Sequence, residues 1–155
     1  MKSIITTFLI INSLFSLAQF SEADAIKATV DKFFTAFHAQ DSVGLLDLVT
    51  TDIVLQTIGK DKNGETILRQ ENFEDLVHSI VSIPDSINFQ EKLLDYSIQV
   101  DGAMANAWTP YEFWVNDTFS HCGVNSFQMV KKQGTWKIIY LIDTRRKEDC
   151  QGQTN

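Results

Sequence analysis

Positive charge, histidine and cysteine are all scarce in this chain, and each scarcity closes a class of function. Thirteen Lys and Arg residues face twenty Asp and Glu, for a formal net charge of −7. An acidic surface repels phosphate backbones, and no Lys/Arg cluster with interleaved aromatics offsets it, so nucleic acid is excluded as a partner. The three histidines, His38, His78 and His121, stand on different predicted elements without ligand spacing. No metal site is therefore expected, and no cofactor is implied. No apolar run reaches the roughly 20 residues that a membrane span needs. Internal repeats, low-complexity tracts and linkers are absent as well.

Residues 1–18 do not pattern as fold. Lys2 supplies a short positive start, "IITTFLIINSLF" an apolar stretch, and Ser16-Leu17-Ala18 the small residues that a signal peptidase reads. This predicts a cleavable signal peptide, a mature chain from about Gln19, and a secreted or periplasmic protein. Removing residues 1–18 takes away one lysine and no acid, so twelve basic residues face twenty acidic ones, a net charge of −8. What remains is one domain over residues 19–146 and a polar tail over 147–155, long enough to bury a sizeable core. The two cysteines, Cys122 and Cys150, both lie in the exported part. In an oxidising compartment such a pair suggests a disulfide tying the tail to the sheet; the alternative is two independent thiols, because spacing alone does not set geometry. Asn116-Asp117-Thr118 is a glycosylation sequon that matters only in a eukaryotic secretory host.

Hydrophobic spacing orders the elements. Ile26, Val30, Phe33, Phe34 and Phe37 mark one face of a helix ending near His38, with Ser21 and Asp24 placed as a capping box. A shorter helix carries Leu45, Leu46, Leu48 and Val49. "TDIVLQTIG" and "ETILR" read as a hairpin, and "ENFEDLVHSIVSI" as a third helix stopped by Pro84. Four strand candidates follow, separated by Asp101-Gly102, Asn116-Asp117 and Gln133-Gly134, dipeptides suited to tight hairpins. The order α-α-β-β-α-β-β-β-β predicts an α+β fold, a cone of three helices packed on a curved antiparallel sheet, with space for a small molecule inside.

The stretch from Ile26 to Gly59, together with "FSHCGVNSFQMVKKQGTWKIIYLIDTRR", resembles the nuclear transport factor two-like superfamily. Within it the resemblance is nearest to exported proteins of the lumazine-binding type, related to ketosteroid isomerases and polyketide cyclases. It covers about Ala25 to Arg146 and implies the cone fold and a homodimer formed through the sheet. Isomerases of this superfamily carry a Tyr on the first helix and a base Asp on the first strand. Here the helix offers Phe33, Phe34 and Phe37, and the alignment puts Gln56 where the Asp would stand. Gln56 cannot accept a proton, which disfavours that enolisation route.

Counting outward from the two-residue turns assigns faces to the last strands. It puts His121, Asn125 and Tyr140 on the concave side and pairs Trp114 with Phe119, Glu112 with His121, and Trp108 with Asn125. The candidate ligand-binding set is therefore Trp108, Glu112, Trp114, His121, Asn125 and Tyr140, enclosing an unidentified small apolar or aromatic molecule. Should the domain be an enzyme, a lyase or isomerase, His121 would be its acid/base and Glu112 its orienting partner. Glu112 and His121 also fit a purely structural cross-strand pair, and an associative domain with no ligand is the third alternative. His38 reads as a cationic cap on the helix dipole. Asp143 and Arg145 read as an outer-surface pair beside an apolar patch of Val124, Val130, Ile139 and Leu141, the proposed dimer face.

Overall fold

The computed structural model describes residues 21–150; the expected signal segment lies outside them. Helix α1 spans Glu22–His38. At its start Ser21 Oγ accepts the Asp24 backbone N–H at 3.1 Å, while the Asp24 carboxylate accepts the Ser21 N–H at 3.2 Å. This is the reciprocal box that the spacing predicts. Helix α2 (Ser42–Leu48) is capped by Asp41, and β1 (Val49–Lys60) turns back into β2 (Thr66–Glu71). Helix α3 (Phe73–Val81) starts under an Asn72 cap. Five strands follow: β3 (Phe89–Leu93), β4 (Ser97–Asp101), β5 (Met104–Val115), β6 (Thr118–Lys132) and β7 (Thr135–Thr144).

The protein is thus α+β, with three helices on a curved, unclosed sheet. Two details differ from the expectation. "EKLLDYSIQV" is not one strand: Leu93 opposes Tyr111 and Ser97 opposes Trp108, so three residues on one side face two on the other. Pro110 lies in this gap and has no N–H to offer a partner; its carbonyl accepts the Leu94 N–H at 2.8 Å. The sheet is also mixed, in the order β2-β1-β7-β6-β5-β3 with β4 on β5, because β1 runs parallel to β7. A parallel neighbour needs a long crossover, and here the rest of the domain supplies it.

Two hairpin turns fall where the dipeptides predict; the third, between β4 and β5, is Gly102-Ala103, one residue later than Asp101-Gly102, because Asp101 pairs with Met104. Asn116 and Asp117 have φ of 48° and 60°, Gln133 and Gly134 of 50° and 80°, the paired positive values of a type I′ turn. Away from the turns, two bulges intervene. In β6, Trp114 opposes Phe119 but Phe113 opposes His121, leaving Ser120 extra. In β7, Met129 opposes Ile138 but Gln128 opposes Tyr140, leaving Ile139 extra. A single extra residue reverses which face later side chains take relative to an unbroken count.

The core lies between α1 and the sheet. Ile26, Val30, Phe33 and Phe34 pack with Ala105, Ala107, Phe127 and Met129. Phe127 is fully buried and meets Phe33 and Phe34 edge-on at 5.7 and 6.1 Å; burial of one such side chain contributes about 1.5–3 kcal/mol. His38, expected as a cationic cap, does something else. Its Nε2 accepts the Glu91 backbone N–H at 2.9 Å, which requires an unprotonated nitrogen, and burial lowers its pKa. α1 is thereby joined to β3 through a neutral imidazole.

Cys122 and Cys150 form a disulfide, and the Cys122 N–H and carbonyl each bond to the Arg146 backbone at 2.9 Å. Residues 147–150 are therefore fastened to β6. Among the described residues, no helix is long and apolar enough to cross a membrane. Cys150→Ser should lower the free energy of unfolding by about 2–4 kcal/mol, the chain-entropy effect of opening a loop of this size. Urea denaturation of the oxidised proteins measures it, and an unchanged midpoint would contradict it.

Candidate functional site

Alternation along β6 turns His121, Gly123 and Asn125 toward the helices. Gly123 is required there by close approach: a Cβ would lie 1.7 Å from the Thr144 carbonyl oxygen and 2.8 Å from the Tyr111 ring. With only hydrogen at that point, the Tyr111 ring packs against β6. Its hydroxyl reaches the Thr144 carbonyl at 3.0 Å and Asp143 Oδ2 at 3.2 Å. Above these residues, between α1, α3 and the sheet, lies a cavity of about 360 Å³. Phe33, Phe34 and Phe37 of α1, Leu76 and Ile80 of α3 and Phe113 of β5 make its walls. Glu71, Ser79 and Arg145 are exposed residues on its lining and mark its mouth.

Besides Glu71 at the mouth, two carboxyl groups share this space and have different surroundings. Asp143 is buried and well supplied with donors: Thr57 Oγ1 at 2.5 Å, Arg145 Nε at 2.8 Å and the Tyr111 hydroxyl. Among the described residues Glu91 has a single side-chain donor, Asn125 Nδ2, at 2.6 Å from Oε1. Burial pushes the Glu91 carboxyl up to about 8; the Asn125 hydrogen bond opposes this and the nearby Asp143 adds to it. Tyr111 is also raised, by burial and then by Asp143 and Glu91. His121 stacks on Phe113 with centroids 4.9 Å apart, and its Nδ1 lies 3.1 Å from Ser120 Oγ. Burial, with Arg145 nearby, holds its pKa below the ordinary value, so the imidazole is neutral at pH 7.

Of the six expected ligand-binding residues, the structure brings His121 and Asn125 to the cavity. Trp108, Glu112 and Trp114 alternate with inward Thr109, Tyr111 and Phe113, and so stand on the outer face. Glu112 opposes Cys122, not His121, and accepts the Trp114 Nε1–H at 3.1 Å; the Ser120 bulge is the reason. Tyr140 also points outward, donating to Gln56 Oε1 at 2.6 Å, because of the Ile139 bulge. Gln56 is therefore not at the cavity position of a strand-borne base; Leu55 lines the cavity instead. The same bulge brings Leu141, Asp143 and Arg145 inside, correcting their assignment to the outer surface. Glu91 and Tyr111 escaped the sequence reading. A signal for Glu91 existed: it stands two residues from both Phe89 and Leu93, on the inward face they share.

An NTF2-like protein from Cytophaga hutchinsonii shares this architecture with a TM-score of 0.63 and 20% identity, over 81% of this chain and 99% of that one. The fold is NTF2-like. A protein from Nostoc punctiforme with a cystatin-like fold matches at TM-score 0.62 and 14% identity, over 84% and 96% of the two chains. One from Streptomyces avermitilis, provisionally named a dehydratase of the NTF2-like family, matches at 0.61 and 14%, over 80% and 95%. At such identities the likeness concerns the fold alone. No family model matches the sequence, and comparison with curated proteins gives no match.

Glu91 holds its proton more tightly folded, near pH 8, than at the ordinary 4.5. Its contribution to stability is therefore full below about pH 4.5 and is lost as pH rises through about 8. Glu91→Gln should flatten the decline of Tm across this window and raise Tm at its alkaline end. A uniform loss of Tm at every pH would show that the carboxyl is only a packing group.

Proposed function

We propose that the protein is an exported domain that binds a small, mainly apolar or aromatic molecule inside its NTF2-like cavity. The observation that carries this reading is the cavity itself: aromatic and aliphatic walls around a few polar groups, the usual make-up of a small-molecule site. His121 and Asn125 remain the proposed ligand contacts, joined now by Glu91 and Tyr111. The N-terminal pattern of residues 1–18 and the Cys122–Cys150 bridge support export. A collapsed associative domain fits less well, since a filled core would not leave a half-buried Glu91 beside open space.

A second reading, a lyase or isomerase, draws on the same floor. Glu91 with a pKa near 8 and neutral His121 are an acid and a base poised for proton transfer at neutral pH. The provisional dehydratase among the structural neighbours is compatible with it. In this reading His121 is the base, and Glu91, in place of the outward-facing Glu112, is the carboxyl that works with it.

The outer face of the sheet is the proposed homodimer surface, with Trp108, Val124, Tyr140 and Ile142 in place of the inward-turned Leu141. Trp108 is 49% exposed there, unusual for so large an apolar group unless a partner covers it.

Ser79→Trp tests the binding reading. Ser79 is an exposed helical residue at the cavity mouth, so the change should leave stability within about 0.5 kcal/mol. It should weaken binding of the apolar probe N-phenyl-1-naphthylamine, followed by fluorescence, by about tenfold or more; unaltered binding would place the probe elsewhere. For the dimer, light scattering should give twice the chain mass for the wild type and the chain mass for Trp108→Glu. A wild-type monomer at all concentrations would refute that surface.

A further inference from the structure

Resting on the binding reading above, we infer that the ligand is an organic cation, a hydrophobic amine or amidinium, whose charged nitrogen pairs with Glu91 while its apolar body lies against the phenylalanine wall. The acidic and basic groups on the cavity lining are unbalanced. Glu71, Glu91 and Asp143 stand against a single permanent cation, Arg145. That cation is engaged: its Nε donates to Asp143 at 2.8 Å and its Nη2 reaches Thr57 Oγ1 at 3.5 Å. His121 brings no compensating charge, being held neutral by burial. An incoming anion would meet surplus acid and would have to compete with Asp143 for Arg145. A cation meets an acid with nothing opposite it.

Glu91 is the group left with unused capacity. Its Oε1 accepts from Asn125, but Oε2 has no side-chain donor among the described residues, nor does Asn125 Oδ1 have one. An ammonium carries three donors, enough to engage both oxygens at once. The rings of Phe34, Phe37 and Phe113 line the same cavity, and aromatic rings attract a desolvated cation through their quadrupole. Its volume, about 360 Å³, suits a fused-ring or short aliphatic amine.

Burial keeps Glu91 protonated at neutral pH. On binding, the carboxylic O–H breaks, its proton leaves to solvent, and the carboxylate accepts N–H bonds from the ligand. The titratable and charged groups packed around Glu91 are His38 of α1, Tyr111 of β5, His121 of β6, and Asp143 and Arg145 of β7. None of the other four replaces the single Asn125 hydrogen bond that Oε1 receives, and Arg145 is already paired. Amine binding is therefore coupled to release of close to one proton per site.

Isothermal titration calorimetry of the mature protein with 1-naphthylmethylamine and its neutral analogue 1-naphthylmethanol, near pH 7 in phosphate and in Tris, decides the matter. The amine should bind the wild type about tenfold or more tighter than the alcohol, with a heat that differs between the buffers by close to one proton. In Glu91→Gln the preference for the amine and the proton release should both vanish. The wild type alone supplies a second readout: below the ionisation of Glu91, amine affinity should rise about tenfold per pH unit. If the alcohol binds as tightly as the amine, or the heat is independent of buffer, the cation inference falls and the binding reading stands. If neither compound binds, both fall.

Discussion

In β7 the chain places Ile139 without a partner on β6, so Trp136 and Ile138 face the helices on one side of the bulge while Leu141 and Asp143 face them on the other. An unbroken strand would have put Tyr140 and Ile142 inside and sent Asp143 and Arg145 to the outer surface. The Ser120 bulge in β6 does the corresponding work one hairpin earlier, setting Phe113 and not Glu112 across from His121. Two unpaired residues thus choose the chemistry of the cavity, and the rest of the sheet follows from them.

With these faces set, environment separates two carboxyls of similar intrinsic acidity. Asp143 is surrounded by Thr57, Tyr111 and Arg145, whose donors replace the water it lost. Glu91 has one amide and open space, and burial raises it. A site holding one compensated and one uncompensated acid can retain a cation or move a proton, and the same asymmetry serves both functional readings. His38 and Gly123 hold the frame: one joins α1 to the backbone of β3, the other lets Tyr111 approach the end of β7.

The NTF2-like scaffold explains why a cavity exists, but not what occupies it. Helices laid across a curved sheet leave space wherever side chains do not fill it, and unrelated activities use that space. Here α1 contributes phenylalanines to the wall, and the polar groups of the cavity floor come from the sheet: Glu91 from β3, Tyr111 from β5, Asn125 from β6 and Asp143 from β7.

Local chemistry by itself determined the helices, their caps and the hairpin turns. The Ser21–Asp24 box, the phenylalanine stripe of α1, and the Asn116-Asp117 and Gln133-Gly134 turns are short-range features whose physics lies within a few residues. The concave placement of His121 and Asn125 was legible for the same reason, because alternation from Gly123 to Met129 is unbroken. Only the tertiary structure decided that Glu112 and Tyr140 face outward, that Asp143 and Arg145 face inward, and that β1 lies parallel to β7. A bulge is a one-residue mismatch between two strands, and a parallel pairing joins segments nearly ninety residues apart, from Val49–Ile58 to Ile138–Thr144. Neither leaves a mark on the alternation of a single strand, because each is settled by packing against a neighbour.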